Sequence, residues 1–146
     1  RLQSEYSTTV YESRSIHWVA RDASSNPFGI LSLVNISTYN KRAEVLFGVT
    51  PQAPFGLSMG IMLMLFNFFF KSIRYNKLYS FVYKENKKSL QTSISLGFKT
   101  GGLLRSHVQH PYKNEYMDLV QMDMLEEDAF TQRNIKLMDK LLGAAR

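Results

Sequence analysis

The pattern of apolar and polar positions along this chain changes character at residue 50. Before it, β-branched and aromatic residues cluster in short runs at 16–21, 30–36 and 43–49, separated by polar turns, Asp22-Ala23-Ser24-Ser25-Asn26-Pro27 and Tyr39-Asn40-Lys41-Arg42. Such runs predict three strands in an antiparallel meander. After it, Pro51 and Pro54 break the chain, glycines follow, and 57–75 is apolar nearly all round. A helix of that composition is buried on most sides. A strand is expected at 78–83, a short helix at 87–96 closed by Gly97 in the C′ position, strands at 98–104 and 116–122, and an amphipathic helix at 130–142. Strands alternating with helices in the middle of the chain predict a crossover unit within a mixed sheet. The expected fold class is therefore α+β, a central mixed but mostly antiparallel sheet flanked by helices.

Length and composition narrow the chemistry. The 146 residues read as one domain, 1–146, with its core in 16–125 and the helix 130–142 closing it. A domain of this size hides about 68–70% of the surface of its unfolded chain, enough for a core without staples. There is no cysteine, which excludes a disulfide framework, a thiolate metal site and a cysteine nucleophile. His107 and His110 have a spacing found in metal sites, but no further His or Cys completes a set, and no metal is expected. The formal charge of +6 favours an anionic partner. Its basic residues are scattered, without the aromatic-basic signature of an RNA-binding sheet, so nucleic acid is not the expected partner. The apolar run 61–70 is shorter than the roughly 20 residues of a bilayer-spanning helix. With no targeting segment visible, no membrane association and a cytoplasmic location are expected.

Two passages carry chemistry. In Gly56-Leu57-Ser58-Met59-Gly60 a glycine-rich turn feeds a long helix. Its start presents unpaired N–H groups and about half a positive charge, a natural seat for phosphate. The second passage is Asn86-Lys87-Lys88-Ser89, followed by Gly97-Phe98. Taken alone, Asn86 and Ser89 are good helix caps, Lys87 and Lys88 a solvated face, and the methionines and phenylalanines of 59–70 core. The first passage also spells Gly-x-Ser-x-Gly, the nucleophile elbow of serine hydrolases. That elbow needs a strand running straight into the serine, and 51–56 with its two prolines intervenes. No histidine follows Asp118 to complete a triad.

In the order of these parts, from about Ile16 to Leu125, the chain resembles the GNAT superfamily of N-acetyltransferases, and within it the branch of RimJ/RimL type that acetylates ribosomal-protein N-termini. The resemblance rests on Glu44 in the strand before the glycine loop, on Gly56, Ser58 and Gly60, and on the spacing of Asn86, Ser89, Gly97 and Phe98. Gly101-Gly102-Leu103-Leu104-Arg105 and Tyr116-Met117-Asp118 look like the closing segment of that branch. It implies acetyl-CoA as co-substrate, held by Phe47, Val49, Phe55, Gly56, Leu57, Ser58, Met59, Gly60, Asn86 and Ser89, with Lys87 and Lys88 near its 3′-phosphate. It also implies transfer of the acetyl group to a primary amine, with Glu44 as base and Ser89 as proton donor to the leaving thiolate. The acceptor would be a protein N-terminus or a small amine; 33–37 also resembles acetyltransferases acting on the amino group of nucleotide sugars.

The sequence departs from the family in three places. Ala53 falls where the phosphate loop carries Arg or Gln, with Gln52 beside it. Ser93 stands where many members have a tyrosine. With only about fifteen residues before the strand at Ile16, the family's first strand and two helices are expected to be shortened, absent or contributed by another segment. These departures leave a second expectation, a fold of this kind that binds CoA or a partner protein without turnover. The apolar positions Leu137, Met138, Leu141 and Leu142 suit packing across a homodimer as well as onto the helix's own domain.

Overall fold

A computed structural model describes residues 14–53 and 55–143, with only the backbone of Phe55. The N-terminal elements discussed above fall on residues 1–13 and lie outside the described residues. Six strands, β1 (Ile16–Arg21), β2 (Pro27–Ser37), β3 (Arg42–Val49), β4 (Lys77–Tyr83), β5 (Lys99–Gln109) and β6 (Tyr116–Met124), form one sheet in the order β1-β2-β3-β4-β6-β5. Between β3 and β4 runs helix α1 (Phe55–Phe66), and between β4 and β5 helix α2 (Lys87–Leu96); α3 (Glu126–Ala129) and α4 (Gln132–Leu142) follow β6. The β3–β4 pair is parallel and the other four are antiparallel. This is the expected mixed, mostly antiparallel sheet.

Local chemistry explains most boundaries. Asp22 closes the first hairpin, its Oδ1 accepting from the amides of Ser24 (2.9 Å) and Asn26 (3.0 Å). Gly97 ends α2 at φ 110°, its amide bonding back to the carbonyls of Ile94 and Ser93. Three expectations are corrected. The long helix changes to a π-helical turn over Asn67–Ser72, where the wider winding turns both Phe69 and Phe70 into the core, and it stops before Tyr75. The helix expected at 130–142 begins only at Gln132, because Thr131 caps it by accepting from the Asn134 amide at 3.2 Å. The strand expected at 98–104 runs on to Gln109 across two irregularities, which hid its alternation.

All the described helices pack on one face of the sheet. Leu31, Leu33, Ala43, Val45, Leu78, Met122 and Met124 from the strands share one buried cluster with Leu63, Phe66, Leu96, Ala129 and Met138 from the helices and Phe69 from the π turn. The alternate strand residues point the other way. Val19, Ile30 and Leu46 are 54%, 58% and 47% exposed there, as the period of two requires for a face that no described helix covers. Asn134 fastens the helical layer, donating from its buried amide to the Leu96 carbonyl (2.8 Å) and the Ala129 carbonyl (2.9 Å). Replacing Asn134 with Ala leaves both carbonyls without that donor and should cost about 1–3 kcal/mol, read as a lower midpoint in urea denaturation.

Candidate functional site

The site begins where the sheet comes apart. β3 and β4 share only three pairs, Arg42 with Lys77, Ala43 with Leu78 and Glu44 with Tyr79. Beyond them, 45–49 of β3 pairs with β2 alone and 80–83 of β4 with β6 alone. The strands therefore diverge into a wedge lined by main chain. About every second amide and carbonyl of these stretches is aimed at the gap rather than at a neighbouring strand.

Because β3 and β4 are parallel, the helices that follow them both start at the open end of the wedge. A turn, with the Ala53 amide on the Thr50 carbonyl at 3.0 Å, carries β3 into α1. The backbone of Phe55, Gly56 and Leu57 supplies first-turn amides with no helical acceptor behind them. Gly56 and Leu57 are exposed and Ser58 is half-buried. A Cβ at Gly56 would meet nothing within 4 Å, so this turn stands clear for an incoming group. Met59 and Gly60 are buried, Met59 within the core, as read for the methionines of 59–70, and Gly60 where Leu142 of α4 approaches. Ser58 sits in a helix preceded by a turn, which is not the strand-to-helix elbow of a hydrolase.

On the other side of the mouth, Asn86 caps α2, its Oδ1 accepting from the Ser89 amide at 3.2 Å. The capping reading of this pair is thus correct as far as it goes, and it leaves the Ser89 side chain half-buried on the first turn of α2. Lys87 and Lys88 are exposed there. Lys84 lies 3.6 Å from Asp118, and the same carboxylate takes the Ser106 amide at 2.7 Å, so Asp118 anchors the bulged part of β5. Two helix starts, each worth about half a positive charge, and exposed lysines make the mouth attractive to an anion.

Glu44 lies at the closed end, on the last shared rung and on the face that no described helix covers, since its neighbours Ala43 and Val45 face the core. The five residues from Glu44 to Val49 put it about 16 Å from the end of β3. Its Oε2 accepts from Asn35 Nδ2 at 2.8 Å. Asn35, at φ 50° beside an irregularity in the β2–β3 pairing, was not among the site residues expected from the sequence. An Asn inside an apolar β-branched run, tolerant of the left-handed region, was the available signal. Tyr79, opposite Glu44, was also missed. Burial first, and then the charge of Glu44, push its phenol above the ordinary value, against a smaller lowering by Arg42. Phe47 faces the core side half-buried, and Val49 is exposed at the mouth.

The histidines have other work. His107 stacks on Phe81, and His110 Nδ1 accepts from the amides of Tyr112 and Lys113 in the β5–β6 turn. Among the described residues no group of His, Asp or Glu could hold a metal ion, and no helix is long and apolar enough to cross a membrane.

The raised Tyr79 pKa has a sign that can be checked. The unfolded chain loses this proton first, so between pH 10 and the folded pKa the native state binds more protons and stability falls as pH rises. The Tyr79→Phe variant should lose that part of the pH slope in alkaline denaturation, and lack one tyrosinate step above pH 10 in absorbance titration.

No family model matches the chain, and no curated protein matches its sequence. Solved structures do. The spermidine/spermine N-acetyltransferase SpeG of Vibrio cholerae, in complex with manganese ions, superposes with a TM-score of 0.75 at 20% identity over 99% of this chain and 78% of its own. The dodecameric form of the Vibrio cholerae spermidine N-acetyltransferase gives 0.77 at 21% identity, over 90% of this chain and 76% of that one. A chimera of the same enzyme with hSSAT gives 0.76 at 22% identity, over 88% and 76%. At these identities the likeness is one of architecture: the chain has the GNAT fold, a six-stranded mixed sheet flanked by helices and opened between β3 and β4.

Proposed function

We propose that the protein is an acetyl-CoA-dependent N-acetyltransferase acting on a small primary amine. The observation that carries this reading is the wedge between β3 and β4, with a helix start on either side of its mouth and a carboxylate at its closed end. The pyrophosphate of CoA suits the first-turn amides of α1 at Gly56 and Leu57, with Ser58 beside them. An extended pantetheine arm can span the roughly 16 Å of β3 and bond through its amides to strand groups that have lost their neighbour, bringing the thioester toward Glu44. The fold neighbours are named for acetylating spermidine, which supports an amine acceptor in the small-molecule class over a protein N-terminus.

The chemistry follows from the acceptor's charge. A primary alkyl amine is mostly ammonium at pH 7, so its proton must leave before nitrogen attacks the thioester carbonyl. Glu44, directly or through one water, accepts it; Asn35 holds the carboxylate in position. Attack forms the N–C bond and places negative charge on the carbonyl oxygen, which an amide of the 47–49 stretch aimed into the wedge stabilises. Collapse breaks the C–S bond, and the departing thiolate takes its proton from Ser89, the assignment that the RimJ/RimL-type pattern gives. A thiolate is already a good leaving group, so Ser89 contributes less than the phosphate seat. Met59, Gly60 and Phe55 supply the helix that aims the first turn.

Gly56→Glu places a carboxylate in the phosphate seat without a steric clash, because the site of its Cβ is open. Isothermal titration with acetyl-CoA should show micromolar binding by the wild type and none by this variant. No binding by folded wild-type chain would contradict the proposal. Glu44→Gln should leave that binding intact and lower kcat by about 10²-fold or more, with the loss smaller at high pH where the amine deprotonates unaided. Binding without transfer to any amine would favour instead a non-catalytic CoA-binding fold, in which Glu44 and Ser89 serve only their hydrogen bonds.

A further inference from the structure

We propose that the helix-free face beside Glu44 receives the body of the acceptor and selects an amine that carries a flat aromatic or heteroaromatic ring, stacked on Phe81 and His107. This inference rests on the acyl-transfer reading. The helical layer and its core fill one side of the sheet, so an amine reaching Glu44 approaches from the other. The first groups it passes there belong to β4. Tyr79 shares the rung of Glu44, and Phe81, two residues on, points the same way with its ring edge-on to Tyr79 at 5.7 Å. Phe81 in turn lies nearly parallel to the imidazole of His107 on β5, with centroids 6.4 Å apart and planes inclined by 28°.

These rings stand outside the buried cluster of the core. Half-buried Tyr79 and Phe81 and exposed His107 form an aromatic strip that starts at the proposed base. Offset stacking on such a strip favours ring-bearing ligands beyond their buried area.

Aromatic faces also attract cations, and the charges on this face decide between the two. Arg42 and Lys77 form the pair two rungs before Glu44–Tyr79, on the same face. Asp123, across from Tyr79, is 3.7 Å from Lys77 and shares its own rung with Lys99. Glu44 is held by Asn35. Lys99 is also paired with Asp128 at 2.8 Å, so the three cations meet three carboxylates and leave no net attraction for a second ammonium. The expected acceptor has one amine and a ring-bearing body, taken by stacking rather than by charge, in contrast to spermidine.

The test measures kcat and KM with saturating acetyl-CoA for phenethylamine, 5′-amino-5′-deoxyadenosine, butylamine and spermidine. At least one ring-bearing amine should exceed butylamine by about tenfold in kcat/KM, through KM, with spermidine no better than butylamine. The benzene and purine arms identify which kind of ring the strip takes. Phe81→Leu and His107→Asn should bring the ratio of ring-bearing to alkyl amine toward one. His107 is exposed, so its variant carries the comparison even if Phe81→Leu fails to fold. Spermidine preferred over both ring-bearing amines, or a ratio unchanged in the variants, would overturn the strip while leaving acetyl transfer in place. Absence of acetyl-CoA binding in the titration would remove both.

Discussion

The structure turns on how briefly β3 and β4 pair. Ala43 and Leu78, opposite each other and both fully buried, are pinned beneath the helical layer with Met124 across the next strand. That contact holds the two strands together at one end only. At the other, each is claimed by its antiparallel partner, β2 or β6, and the backbone groups between them have no mutual ladder. Main-chain polar groups left this way must find water or a ligand. A ligand with amides of its own, long enough to run the depth of the gap and anionic at its outer end, answers that requirement together with the positive helix starts at the mouth.

Much of this was legible in the chain. Period-two runs marked the meander, the Pro51 and Pro54 break marked the end of β3, and Gly97 marked the end of α2, because each signal is local and rests on backbone chemistry. The parts that were not legible depend on partners distant in sequence. Glu44 could be picked out from its place before the glycine loop, but Asn35, which orients it, could not, since the bulge that brings Asn35 to Glu44 depends on how β2 meets β3. Tyr79 and Phe81 read as ordinary strand residues until the crossover placed them beside Glu44 on a face that no described helix covers. Met59 and Gly60 show how quickly a helix changes its surroundings. Their sequence neighbours are in the first turn of α1, but one residue of helix rotates a position by about 100°, enough to move them from the mouth into the packing against the sheet and α4.

Asn86 shows why a structural role and a ligand role need not compete. Its side chain secures the first turn of α2, and a secured first turn is what keeps the remaining amides and lysines of that helix facing the mouth. The same holds for Asp118, whose bonds to Ser106 and Lys84 join the bulge of β5 to the segment leading into α2. Asn86 and Asp118, which sequence patterns mark, here position the rim of the gap.

The most direct test of this account is amide hydrogen exchange with and without acetyl-CoA. Protection should appear in 45–49 of β3, in 80–83 of β4 and in the first turns of α1 and α2, while the paired ends at Arg42–Glu44 and Lys77–Tyr79 change little. Protection confined to other parts of the sheet, or none at all from a saturating concentration, would contradict the wedge as the acetyl-CoA site.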